Sequence, residues 1–370
     1  MTKIGLAFLA AFTIYGCSNS TQEPSSEHPE LTWETVPVTS GALRVTGRAD
    51  WSKNGEVSIF WSGSAFTIGF EGTALKINLD ANLAFFDVFV DDDFYPSIII
   101  DRSDSAYPND EITIVKNLSN KPHSVRIQKN TEIMYGKATL KGIQVLGEAS
   151  SSALPPKPKK KIEFIGNSIT CGYGILGKEH DIYTIASEDH FYTYANQAAL
   201  ILKAEEHTVC YSGKGTLRNC DNSTTLLIPE FYNKLSLENG TLWNTEEWVP
   251  DLIFANLGAN DFNTTYPDSS SFVNAVIDFA KQLRGYYPNT SITLLDGPMM
   301  TGDEMITCRK FLDAAQQALI ASGDKNVYRF SFDPQGELGY GIAEHPNQAQ
   351  GQKDAVRLAE WVFKTFDWDN

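Results

Sequence analysis

The chain has 370 residues, 42% hydrophobic and 12% aromatic, so it is long enough for two domains with buried cores and too apolar to be disordered. Its formal net charge of -16 argues against nucleic acid or an anionic membrane surface as a partner. A neutral substrate such as a sugar is compatible with that charge, which also favours solubility.

Lys3 followed by an apolar run from Ile4 to Tyr15 predicts an export signal, because the run is too short to span a bilayer. It ends in Ile14-Tyr15-Gly16-Cys17, which resembles a bacterial lipobox. The resemblance implies a lipoprotein-type signal over residues 1–17 with Cys17 lipidated. Tyr15 is bulkier than the residue usual at its place, and an ordinary cleaved signal is the alternative. Residues 18–30, rich in Ser, Glu and Pro, read as a polar tether. The expectation is an exported chain at the bacterial outer membrane or cell surface, touching the membrane only through the lipid. Periplasmic or secreted forms are the alternatives.

Residues 31–149 are written in strand period. Val57, Ile59 and Trp61 alternate with smaller or polar residues, as do Leu75, Ile77 and Leu79, then Phe86, Val88 and Val90, then Val125 and Ile127. Turn signals separate the runs, among them Ser62-Gly63-Ser64 and Asp91-Asp92-Asp93. Many short strands without a helical stretch predict a β-sandwich of jelly-roll type. The aspartate run is read as a solvated hairpin turn, since no spaced set of calcium ligands follows it.

Residues 150–160, with three prolines and three lysines, read as an interdomain linker. From residue 161 to 370 the pattern changes. Strands are predicted at Ile162–Ile165, His207–Tyr211, Leu252–Leu257, Ile292–Leu295 and Val327–Phe330. Helices are predicted at Phe191–Leu202, Phe272–Tyr287, Thr307–Ala321 and Gln348–Phe366. Strands alternating with helices predict a three-layer α/β/α domain around a parallel sheet. Cys171, Cys210, Cys220 and Cys308 could form two disulfides, but spacing assigns none. Cys171 and Cys210, beside predicted strands, are expected as buried free thiols. No Cys/His cluster suggests a metal.

The chemistry-bearing residues follow the strands of this sheet. Ser168 ends the first strand in Gly166-Asn167-Ser168-Ile169-Thr170-Cys171-Gly172-Tyr173-Gly174. Ligands collect at the carboxyl edge of such sheets, and a serine there can act as a nucleophile. Thr170 stands where a hydrolase elbow of G-x-S-x-G type needs glycine. Gly213, in Tyr211-Ser212-Gly213-Lys214-Gly215, follows the second strand, and Asn260, in Leu257-Gly258-Ala259-Asn260-Asp261, follows the third. The N–H groups of Ser168 and Gly213 and the Asn260 amide could form an oxyanion hole, each donor worth on the order of 3 kcal/mol in the transition state. Of six histidines, His345 in Ala343-Glu344-His345-Pro346-Asn347 lies just before the last helix, at the same edge, and is the candidate base.

Taken in order, Ser168, Gly213, Asn260 and His345 resemble the four blocks of the SGNH, or GDSL-type, hydrolases. The nucleophile run, with a β-sandwich ahead of it, resembles the family 2 carbohydrate esterases. This implies a jelly roll followed by an SGNH-hydrolase domain, with no metal or organic cofactor. It also implies removal of O-acetyl groups from plant cell-wall polysaccharides such as xylan or mannan. Asn167 replaces the family's frequent Asp but keeps its hydrogen-bonding shape. Many SGNH enzymes carry an acid three residues before the histidine. Here that residue is Ile342, so the resemblance implies a Ser168–His345 dyad with the ring held by a backbone carbonyl. Asp333, Glu337 and Glu344 are the alternative acids. Tyr173, Trp243, Trp248 and Tyr266 lie in loops and are candidate sugar platforms. The expected partner is an acetylated poly- or oligosaccharide, bound by a monomer. Two other readings stay open: a non-catalytic glycan-binding lipoprotein on an esterase fold, and an SGNH esterase for another acyl ester.

Overall fold

In the computed structural model, residues 30–81, 83–100 and 111–368 are described. The expected signal, Cys17 and nearly all of the tether lie outside them. From Thr32 onward the described residues form one compact unit.

The first block is antiparallel: β1 (Trp33–Val36), β2 (Leu43–Thr46), β3 (Ala49–Asp50), β4 (Val57–Ile59), β5 (Ala65–Ala81), β6 (Ala84–Val90), β7 (Asp93–Ile100), β8 (Glu111–Val115), β9 (Lys121–Lys129) and β10 (Ala138–Ala149). Its two layers share strands. The first half of β5 lies between β2 and β9, and its second half pairs with β10 and β8. Phe66, Ile68 and Phe70 face the core in the first half, and Leu75, Ile77 and Leu79 in the second, so the inward parity flips between them. Gly72 and Gly147 stand at that crossing, where a Cβ on Gly72 would lie 2.1 Å from the Leu146 carbonyl oxygen. Such close backbone approach requires glycine.

The second block contains β11 (Lys160–Gly166), β12 (Ala204–Cys210), β13 (Leu252–Asn256), β14 (Ser291–Asp296) and β15 (Val327–Ser331), parallel in the order β12-β11-β13-β14-β15. Its helices are α1 (Ser168–Cys171), α2 (Tyr194–Ile201), α3 (Ile228–Phe231), α4 (Ala259–Phe262), α5 (Ser269–Tyr286), α6 (Gly302–Ala321) and α7 (Gln348–Thr365). Strand residues alternate between two cores. Ile162 and Phe164 of β11 pack with Ala198 of α2 and Leu358 of α7, while Ile165 joins Phe279 of α5 and Leu312 of α6 on the other face. This is the three-layer α/β/α arrangement. The strand order reverses at β11, between β12 and β13, and the crevice above that point is where such sheets bind ligands.

The stretch 150–160 is not a free linker. Leu154 lies against Gly69 of β5, and the Ser150 N–H donates to the Gly69 carbonyl at 2.9 Å. The two blocks also share a buried ion pair, Arg48 to Glu163 at 2.9 Å, with the Tyr232 hydroxyl donating to the same carboxylate at 2.5 Å. Phe60 and Trp61 of the first block join the apolar core under α5 and α6. Apolar contact and a paired charge at one interface explain why the blocks form a single unit.

Candidate active site

The turn after β11 presents Ser168. A Cβ on Gly166 would lie 2.1 Å from Thr170 Oγ1, so only glycine allows so tight a turn. Asn167 caps α1, its Oδ1 accepting the Ile169 N–H at 3.1 Å. As the first residue of that helix, Ser168 has an N–H with no intrahelical partner. Its side chain is nearly buried, 8% exposed.

His345 reaches Ser168 from 177 residues further along. Its Nε2 lies 2.8 Å from Ser168 Oγ. Its Nδ1 lies 3.1 Å from each of two backbone carbonyls, those of Ile342 and Ala343. Carbonyls only accept, so Nδ1 carries the proton and Nε2 offers its lone pair to the serine hydroxyl. Two consecutive residues, Ala343 (φ +50°) and Glu344 (φ +59°), take the left-handed conformation before the ring. That bend turns both carbonyls onto Nδ1, and strain of this kind, about 1–3 kcal/mol per residue, gathers at working sites. Burial lowers the His345 pKa from its ordinary 6.5, partly opposed by the two carbonyls.

The remaining pieces meet at the same edge. Gly213 has φ +76°, and its N–H has no hydrogen-bond partner among the described residues. Asn260 begins one residue into α4, and its Nδ2 donates one hydrogen to the Lys214 carbonyl at 2.7 Å, which leaves the second for a ligand. Asp261 is buried and accepts N–H bonds from Thr216, Leu217 and Arg218 at 2.6–3.1 Å, pinning the loop after β12 to α4. Ser168, Gly213, Asn260 and His345 line one cleft of about 500 Å³ with Tyr173, Met299, Met300, Glu304 and Glu344.

Of the other candidates, Tyr173 and Glu344 line the cleft and the rest lie outside it. Asp333 pairs with Arg357 at 2.7 Å and Glu337 with Lys353 at 3.0 Å, both partners on α7. Glu344 lines the cleft but is exposed, and the His345 Nδ1 contacts are carbonyls. Tyr173 is in the cleft, 4.6 Å from the His345 ring and stacked on Tyr183 at 4.0 Å. Trp243 and Trp248 are not. Trp248 stacks on His207 at 3.6 Å and donates to Glu205 at 2.7 Å, while Trp243 lies over Arg48. Both precede β13, and a chain entering a parallel strand must first return to the sheet's amino edge, away from Ser168. Tyr266 is exposed, packs on Phe262 at 5.9 Å and does not line the cleft.

The thiol expectation is overturned. Cys171 and Cys210 form a disulfide with Cα atoms 5.6 Å apart, while Cys308 and Cys220 are free. Both bonded cysteines end a segment of this edge, α1 and β12, and adjacent parallel strands bring them together. Spacing in sequence carries no sign of that. Sequence reasoning also passed over Glu132, whose carboxylate accepts the Ser212 N–H at 2.7 Å. It lies in the β block, and no local motif marks it.

Residues 45–156 match the family described as Carbohydrate esterase 2 N-terminal. The chain is 29% identical over 338 residues to the cellulase/esterase CelE of Acetivibrio thermocellus, which covers 90% of this chain and 41% of that protein. The chain thus spans less than half the length of that relative. It is 23% identical over 371 residues to an acetylxylan esterase / glucomannan deacetylase of Cellvibrio japonicus, covering 98% of each. Among solved structures, a family two carbohydrate esterase from Clostridium thermocellum in complex with cellohexaose superposes with a TM-score of 0.83 at 29% identity, covering 88% of this chain and 100% of that one. Residues 45–156 thus match the N-terminal domain of the family 2 carbohydrate esterases, and the chain shares the fold of a solved family two carbohydrate esterase.

Proposed function

We propose that this protein is a serine esterase that removes O-acetyl groups from plant cell-wall polysaccharides of the xylan or mannan type, through an acyl-enzyme and a Ser168–His345 dyad. The observation that carries the reading is the 2.8 Å contact from His345 Nε2 to Ser168 Oγ at the mouth of a cleft that also holds Gly213 and Asn260. His345 Nε2 takes the hydroxyl proton as Ser168 Oγ attacks the acetyl carbonyl carbon. The negative charge that develops on the carbonyl oxygen meets the N–H groups of Ser168 and Gly213 and the second Asn260 hydrogen. When the C–O bond to the sugar breaks, His345 returns the proton to the departing sugar oxygen. Water, deprotonated by the same nitrogen, then attacks the acetyl-Ser168 ester and releases acetate. The carbonyls on Nδ1 hold the tautomer and favour the imidazolium that forms between steps.

The substrate class is supported by the relatives' names and by a cleft with no lysine or arginine among its described lining residues, which suits an uncharged sugar ester. Export and lipidation at Cys17 remain part of the proposal and are read by mass spectrometry of the mature amino terminus. The activity is tested by 4-nitrophenol release from the acetyl ester against longer acyl esters, then by acetate release from acetylated xylan and glucomannan. Rapid acetate release, abolished by Ser168→Ala, is the expected result. Preference for long acyl chains would shift the reading to another ester class, and an inactive wild type that still binds glycan would shift it to a binding lipoprotein.

A further inference from the structure

The Tyr211–Ser212 peptide, one before the peptide that carries the Gly213 N–H, is held from outside the parallel sheet. Glu132, on the turn after β9, is fully buried, and its Oε2 accepts the Ser212 N–H at 2.7 Å. The next amide in the chain is that of Gly213, which lines the cleft and has no partner among the described residues. Glu132 is itself tied down. Its N–H donates to Glu188 Oε1 at 2.6 Å, and Glu188 Oε2 accepts the Tyr183 hydroxyl at 2.8 Å. The Tyr183 ring stacks on Tyr173, which packs on His345. The buried Lys129 donates to the Glu132 carbonyl at 3.2 Å.

Burying two glutamates and a lysine is costly, and well-packed apolar residues would serve stability alone at least as well. Glu132 Oε1 is buried with no hydrogen-bond partner among the described residues, an arrangement that stability alone does not explain. Burial raises the carboxyl pKa of both Glu132 and Glu188, and in Glu188 the neighbouring Glu132 charge adds to it. What the group accomplishes geometrically is to fix one peptide, Tyr211–Ser212, next in the chain to the peptide whose N–H is Gly213's.

We propose that Glu132 is a positioning residue of the oxyanion site: reaching across from the β block, its carboxylate fixes the Tyr211–Ser212 peptide, and through it the orientation of the adjoining Ser212–Gly213 peptide, so that the Gly213 N–H meets the developing negative charge. The proposal rests on the esterase reading. It assigns the β block a part in catalysis through Gly213, besides its part in stability.

The test compares wild type with Glu132→Asp, Glu132→Ala and Glu132→Gln in the full chain. Two quantities are read: steady-state hydrolysis of 4-nitrophenyl acetate, and hydrogen exchange of the segment 211–217. Asp withdraws the acceptor by one methylene and Ala removes it, whereas Gln keeps an accepting oxygen in place. Glu132→Asp and Glu132→Ala should lower kcat roughly 10- to 100-fold, the scale of a misplaced catalytic group, with KM nearly unchanged and exchange of the segment accelerated. Glu132→Gln should rescue kcat to within about threefold of wild type. If Glu132→Ala does not fold, the Asp and Gln variants decide. Wild-type kcat or unchanged exchange in Glu132→Asp overturns the proposal. So does a Gln variant as impaired as the Asp one. An inactive wild type would sink the esterase reading instead. Exchange at Ser212 would then decide on the positioning alone, acceleration in Glu132→Asp supporting it and no change overturning it.

Discussion

His345 Nε2 stands 2.8 Å from Ser168 Oγ, while the opposite nitrogen of the same ring is bracketed by the carbonyls of Ile342 and Ala343 at 3.1 Å each. The His345 ring is therefore oriented by backbone. Ser168→Ala and His345→Ala should each lower kcat by about four to six decades, as loss of a nucleophile or its base does elsewhere. Asp333→Asn, Glu337→Gln and Glu344→Gln should each stay within about threefold of wild type. A loss of several decades at any of the three carboxylates, in a folded variant, would contradict a dyad.

The pH dependence follows from the burial of His345. In the proposed mechanism His345 acts as neutral imidazole, and its pKa is lowered from 6.5. Activity is lost as pH falls through the pKa of the folded enzyme, so the acid limb of kcat/KM should have its midpoint below pH 6.5. A midpoint above that value, in a profile measured across the acid range, would mean that a carboxylate or another group assists the ring.

Asn260 has two hydrogens on Nδ2, one committed to the Lys214 carbonyl. Asn260→Ala removes the proposed oxyanion donor and loosens Lys214 together. The expected loss is about 10²- to 10³-fold in kcat. Asn260→Asp keeps the shape but replaces donors by acceptors and a charge, so it should be at least as damaging. An Asp variant with near-wild-type turnover would remove Asn260 from the oxyanion site.

The Cys171–Cys210 disulfide closes a loop between residues 39 apart in sequence. In the chain-entropy account a loop of that size contributes about 4 kcal/mol to stability. Denaturant unfolding of Cys210→Ser, or of wild type with reductant, should show a loss of that order. Because the bond joins the end of α1 to the end of β12, kcat should fall as well.

Asp189 caps the turn before α2, with Oδ1 accepting the Phe191 N–H at 2.9 Å. Burial, and then the Asp87 charge, push its pKa from 3.8 up to about 8. The folded form thus retains a proton that the unfolded chain gives up. The resulting stability is complete below pH 3.8 and is lost as pH rises through about 8. Asp189→Asn keeps the cap without the titration, so it should raise Tm by on the order of 3 °C at pH 9 and by less at pH 5. Calorimetry at the two pH values checks both the sign and the trend.

Much of the fold was legible in the sequence. The predicted strands Ile162–Ile165 and Leu252–Leu257 appear as β11 (Lys160–Gly166) and β13 (Leu252–Asn256), and Gln348–Phe366 appears as α7 (Gln348–Thr365). Hydrophobic period is a local property, and it survives folding because each element buries one face or two. The aromatic candidates fared worse. Tyr173 lines the cleft because it sits five residues after the nucleophile, but Trp243 and Trp248 fall at the other edge because of the chain's return to β13.

The sequence by itself determined which residues follow which strand, and parallel topology then puts Ser168, Gly213 and Asn260 at one edge. Only the tertiary structure decided what completes that edge. Two carbonyls at a left-handed bend, and none of the alternative acids, meet the His345 ring, Cys171 meets Cys210, and Glu132 arrives from the β block to hold Ser212. Each of these is a contact between backbone groups or distant side chains. Such contacts depend on three-dimensional position, and neither the period nor the spacing of a sequence records it.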